Sequence, residues 1–151
     1  MNSKQTFCWP VRVYYEDTDA GGVVYHSNYL NFMERARTEW LRALGFEQTD
    51  LRDELQVLIV IHSMQITFKK PAKFNDLLTI KSSLLNLGHS SWHCAQTIVR
   101  DDKVRGDEVL IEAQVKAAFV NALTFKPMRI PAAILQAAKP LIQKNIVLES
   151  P

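Results

Sequence analysis

A single change of hydrophobic period restricts this chain more than any other feature. Tyr29, Phe32, Met33, Ala36, Trp40 and Leu44 recur at spacings of three and four, with Asn31, Glu34, Arg35, Thr38, Glu39 and Arg42 on the remaining faces. That pattern predicts an amphipathic helix of about four to five turns. Ser27 or Asn28 is placed to cap its start, and Gly45 to end it. After a polar, helical connector over 49–55 the period drops to two. Residues 57–68, 77–87, 90–99 and 109–119 read as strands. The last is the cleanest: Val109, Ile111, Ala113, Val115, Ala117 and Phe119 share one face, and Glu112, Gln114 and Lys116 the other. With a β-branched and aromatic run over 11–15 as a further strand, the order is strand, long helix, antiparallel meander. A helix greasy around much of its girth needs cover on more than one side. The expected architecture is therefore α+β, a long central helix wrapped by a curved antiparallel sheet of about five strands. Pro131 opens a short helix through Ile134, Leu135 and Ala138 that Pro140 stops, and 145–151 reads as a frayed end.

At 151 residues, 47% of them hydrophobic, the chain makes one domain over 1–151, with its core over about 9–135. A net charge of +2 without a Lys/Arg block excludes nucleic acid as the expected partner and suits a small anionic ligand. The longest apolar run, Val57-Leu58-Ile59-Val60-Ile61, is far short of the roughly 18 residues of a membrane span. Cys8 and Cys94 have no motif spacing and the first residues lack a secretory signal, so the expectation is a cytoplasmic protein with two free thiols. One sheet leaves an outer face and open edges that seek a partner, which predicts a dimer.

Chemistry concentrates in Tyr14-Tyr15-Glu16-Asp17-Thr18-Asp19-Ala20-Gly21-Gly22-Val23-Val24-Tyr25-His26, just ahead of the helix. Asp19 sits beside small residues that let a ligand approach the backbone, where a carboxylate serves as general base toward water or as nucleophile toward an activated carbonyl. The bland reading is an Asx turn. The unpaired N–H groups at the helix start, around His26, supply a site for a polarised carbonyl oxygen. His26 itself positions water, bonds the acyl group or caps the helix, and Tyr15 orients Asp19, lines the pocket or is a plain strand aromatic. Glu16 and Asp17 are expected to face solvent or a basic neighbour. A calcium loop starting at Asp17 fails, since it needs an oxygen ligand at Gly21 and a glutamate at Asn28. His62 reads as a half-buried strand histidine. Ser90 and Ser91, with His89 and His93, lack a nucleophile elbow. Lys69, Lys70, Lys73, Lys126 and Arg129 are candidates to meet phosphates or are merely solvated strand ends.

The run from Val13 to His26, continued by Asn28-Tyr29-Leu30 and Glu34-Arg35-Ala36-Arg37-Thr38-Glu39, closely resembles the hotdog-fold thioesterases of the 4-hydroxybenzoyl-CoA type, and within them the Tol-Pal-associated acyl-CoA thioesterases. The resemblance implies hydrolysis of acyl-CoA to free acid and coenzyme A, with no metal or cofactor, coenzyme A being part of the substrate. It implies Asp19 as catalytic base or nucleophile, a backbone N–H at His26 polarising the carbonyl, and side-chain roles for Tyr15 and His26. It further implies a homodimer or homotetramer with the pocket at the dimer interface, surface basic residues on the coenzyme phosphates, and a place peripheral to the inner membrane beside Tol-Pal or phospholipid-synthesis proteins. Enoyl-thioester hydratase and non-enzymatic acyl-CoA-binding scaffold are the alternatives.

Overall fold

The computed structural model describes residues 5–142, so the frayed end expected over 145–151 lies outside the described residues. Five strands and three helices follow one another as β1 (Thr6–Arg12), α1 (His26–Ala43), α2 (Gln48–Leu55), β2 (Val57–Phe68), β3 (Leu77–Leu87), β4 (Ser91–Arg100), β5 (Glu108–Asn121) and α3 (Ala132–Ala138). All strand pairings are antiparallel in one sheet of order β1-β3-β4-β5-β2. This is the expected α+β architecture, with two corrections. The strands do not form a simple meander: only β3, β4 and β5 do, whereas β2 lies outside β5 and β1 outside β3. The strand expected over 11–15 runs earlier, over Thr6–Arg12, and Tyr15–Asp17 is a 3-10 turn.

Helix α1 buries Tyr29, Phe32, Met33, Ala36 and Trp40 of the expected stripe against the sheet, with Leu41 in place of Leu44, which is the half-buried C-cap. It ends as expected, with Gly45 at φ +101°, a conformation costly for any residue with a Cβ. Its start differs: Tyr25 is the N-cap and no side chain caps it. Two packed clusters fill the core. One gathers Tyr29, Phe32 and Met33 with Leu78, Ile80, Ile98 and Ile111 at the loop end. The other sets Trp40 edge-on to Trp92, ring centroids 5.3 Å apart, with Phe119 of β5 and Ile134 of α3. Pro131 is the N-cap of α3 rather than its first residue, and Pro140 falls in the 3-10 turn that ends it.

The alternation in β5 breaks at Leu110. Ile98 pairs with Ile111 and Val99 with Val109, so Leu110 has no partner opposite it. This β-bulge turns both Leu110 and Ile111 into the core and leaves Val109 37% exposed, against the expectation of a buried Val109. The Leu110 carbonyl then accepts the N–H groups of Lys69 (2.8 Å) and Lys70 (3.2 Å), which anchors the segment after β2. A second bulge falls at His62, between Ile61 and Ser63, and leaves His62 exposed rather than half-buried. Cys8 is exposed and Cys94 buried, both free; burial pushes the Cys94 thiol up to about 11.

Candidate active site

Residues 13–25 form a loop stitched to the β2–β3 connection. The Val13 N–H donates to the Asp76 carbonyl (3.0 Å), the Val13 carbonyl accepts from Asn75 N–H (2.8 Å), and Val24 N–H donates to the Ala72 carbonyl (2.9 Å). Helix α1 adds a side-chain tie: the Ala72 N–H donates to the Tyr29 hydroxyl oxygen at 2.9 Å. Loop, helix start and connection thus meet at one place, where they enclose a cavity of about 210 Å³ lined in part by Asp19, Tyr25, His26, Tyr29, Phe68 and Pro71.

Asp19 is held tightly. Its N–H donates to the Val23 carbonyl (2.9 Å), its carbonyl accepts from Gly22 N–H (3.0 Å), and its Oδ1 accepts from Gly21 N–H (2.8 Å). The Asx turn and the functional reading therefore coexist: the turn pins one carboxylate oxygen. Both glycines have a physical reason. Gly22 lies at φ +82°, and a Cβ on Gly21 would stand 3.3 Å from Asp19 Oδ1.

His26 is the first residue of α1 and exposed, its ring edge-on to Phe68 with centroids 4.9 Å apart. The first turn of α1 carries no acidic residue and no side-chain cap. The first N–H groups of a helix lack intrahelical acceptors, so this end presents donors and the positive end of the helix dipole next to a carboxylate. That pairing suits a carbonyl carbon under attack whose oxygen gains negative charge.

Of the three site residues read from the sequence, Asp19 and His26 share the cavity. Tyr15 does not line it: 75% exposed, it stacks on Phe74 with centroids 3.9 Å apart and planes 7° from parallel. The basic candidates divide as well. Lys69 and Lys70 line the cavity, each against a carboxylate, Glu112 at 3.2 Å and Glu108 at 2.5 Å. Lys73 bridges Val23 through the backbone. Lys126 and Arg129 follow β5, whose end pairs with Val57, and β2 runs 12 residues from there to Phe68. They therefore lie at the opposite end of β2 from Phe68, and neither lines the cavity.

Asp17 corrects an expectation. It is buried, 9% exposed, not turned to solvent; Tyr14 N–H donates to its Oδ2 and the Asn28 amide to its Oδ1, both at 2.9 Å. Asn28 accordingly does not cap α1. Tyr29 was legible only as a helix-face aromatic, because its hydroxyl partner lies 43 residues away.

This fold and site define a class of protein. Residues 13–138 match the family described as the thioesterase-like superfamily, and the chain belongs to it. Within that family it is 42% identical over 133 residues to the acyl-CoA thioester hydrolase YbgC of Escherichia coli, a match spanning 88% of this chain and 96% of that one. A probable thioesterase from Bartonella henselae superposes with a TM-score of 0.77 at 36% identity, over 83% of this chain and 99% of the other. The 4-hydroxybenzoyl-CoA thioesterase of Pseudomonas sp. strain CBS-3 shares the fold, with a TM-score of 0.81 at 18% identity, over 87% and 98% of the two chains.

Proposed function

We propose that this protein hydrolyses acyl-CoA thioesters, with Asp19 as the catalytic carboxylate. The observation that carries the reading is the placement of Asp19 and the uncapped, acid-free start of α1 in one cavity. A thioester carbonyl seated there directs its oxygen to the N–H groups at His26, which stabilise the negative charge that develops on attack. Asp19, one oxygen pinned by Gly21, either takes a proton from an attacking water or attacks the carbonyl carbon itself. The C–O bond forms, the C–S bond breaks, and coenzyme A leaves as thiolate; on the second route water then hydrolyses the acyl anhydride on Asp19, releasing the acid and restoring the carboxylate. A thioester is already activated, so the reaction requires no metal or cofactor. His26 lies where it orients water or the acyl group, and Lys69 and Lys70 lie where coenzyme phosphates would displace their exposed carboxylate partners, pairs of little energy in water. A role for Tyr15 requires a ligand or second copy that reaches its outward ring. The relatives named as thioesterases do not favour the hydratase or scaffold alternatives.

The same reading extends to a homodimer or homotetramer in the cytoplasm, supported by the open β2 edge. Association with the Tol-Pal system at the inner membrane rests on resemblance alone. The test is thiol release from short, long and aromatic acyl-CoAs by the wild type and Asp19→Asn. Loss of at least about a hundredfold in a folded variant is expected. Absence of thiol release from the wild type on every substrate overturns the reading.

A further inference from the structure

We infer that Asp17 is a positioning residue, a carboxylate clamp that fixes the distance between Asp19 and the start of α1. The inference rests on the thioesterase reading above. Every polar atom of Asp17 is engaged by the segments it joins. Its N–H donates to the Tyr14 carbonyl (3.0 Å), its carbonyl accepts from Tyr25 N–H (3.1 Å), Oδ2 accepts from Tyr14 N–H (2.9 Å), and Oδ1 accepts from Asn28 Nδ2 (2.9 Å). Among the described residues no lysine or arginine pairs with it. Burying a carboxylate without a cation is expensive, and a loop aspartate ordinarily avoids it by facing water. Here the charge holds two separate pieces together. One is the start of the loop at Tyr14, five residues before Asp19. The other is the first turn of α1, which lines the same cavity through His26 and Tyr29.

The amide of Asn28 is the grip on the helix. Asn28 is the third residue of α1, and its own N–H is met by the Tyr25 carbonyl (2.9 Å), so its backbone is fixed in the first turn. Its Nδ2 donates to Asp17. Asp17 thereby ties the first turn of α1, with its donors, to the loop that carries Asp19. Because the position of the base relative to those donors matters on the scale of an ångström, loosening the clamp acts on turnover rather than on binding.

The experiment measures kcat and KM for acyl-CoA hydrolysis by the wild type, Asn28→Ala, Asp17→Ala and Asp17→Asn, each checked for folding by circular dichroism. Asn28→Ala is expected to lower kcat about tenfold or more with KM within about threefold. Asp17→Ala is expected to do at least as much. In Asp17→Asn, a flipped Asn28 amide restores both side-chain bonds without charge, so this variant recovers at least about fivefold of the kcat lost in Asp17→Ala. Should Asp17→Ala fail to fold, Asn28→Ala and Asp17→Asn carry the test. A folded Asn28→Ala with kcat within about twofold of the wild type overturns the clamp, as does a change confined to KM. No thiol release from the wild type overturns the thioesterase reading itself, and the clamp with it, an outcome distinct from unaltered variants of an active enzyme.

Discussion

At the scale of single residues, the hydroxyl of Tyr29 does work that its ring alone would not. It is the acceptor for the N–H of Ala72, a residue fully buried at the junction of loop and connection. Tyr29→Phe keeps the ring but leaves that N–H without a partner, which costs about 1–3 kcal/mol. Burial also pushes the Tyr29 hydroxyl pKa up, against the opposing pull of the Ala72 N–H. The sign follows directly: the stability this residue contributes is full below its unfolded value of about 10 and is lost as pH rises from there through the higher folded-state value. Urea unfolding at neutral pH and above pH 10 checks both points. Tyr29→Phe is expected to be less stable at neutral pH and to lose less on going alkaline. The residue scale is also where sequence reading reached least far. Asp19 stood out by its small neighbours, whereas Asp17 resembled any loop acid until Tyr14 and Asn28 were seen to close on it, and Tyr29 needed Ala72.

Among the elements, α1 is fastened to the sheet by a buried polar pin as well as by its apolar stripe. Gln96, fully buried in β4, donates from Nε2 to the Met33 carbonyl (3.1 Å) and to Ser82 Oγ (3.0 Å), and its Oε1 accepts from Arg37 Nη1 (2.8 Å). Burial draws the Arg37 pKa below the ordinary guanidinium range, yet from so high a start it stays charged and needs that acceptor. Gln96→Leu fills a similar volume and strands the Arg37 charge; a loss of about 2–4 kcal/mol in urea unfolding is expected, and an unchanged midpoint would show the pin to be idle. Alternation revealed the extent of β3 because that strand buries one face, whereas β2, with only Val57 buried, was legible from its β-branched content. It gave no warning of the bulge at Leu110, since Val109 and Ile111 keep an unbroken period in the sequence while the backbone slips beneath them. Nor does alternation say which strand lies beside which, so β2 at the far edge was not legible. The start of α1 came earlier than expected because Tyr25, a residue without capping chemistry, precedes it.

For the whole molecule, the sheet has two open edges, β1 and β2. Edge β2 is long and carries Ile61 and Phe68, each 44% exposed, an arrangement that invites pairing with another strand. If a second copy covers it, Ile61→Lys shifts the mass measured by light scattering from dimer or tetramer to monomer without loss of the fold. An unchanged mass in that variant would rule out this edge as the contact. Strand β1 carries a different consequence, one of timing. It pairs only with β3, with Thr6 opposite Ser83, and the loop that follows it is closed by residues 72–76. Contacts so distant in the chain form late. A ribosome therefore releases the carboxylate motif well before the segments that shape its cavity. Until those segments arrive the nascent chain holds its reactive groups unassembled, and catalytic competence comes at the close of folding rather than at its beginning.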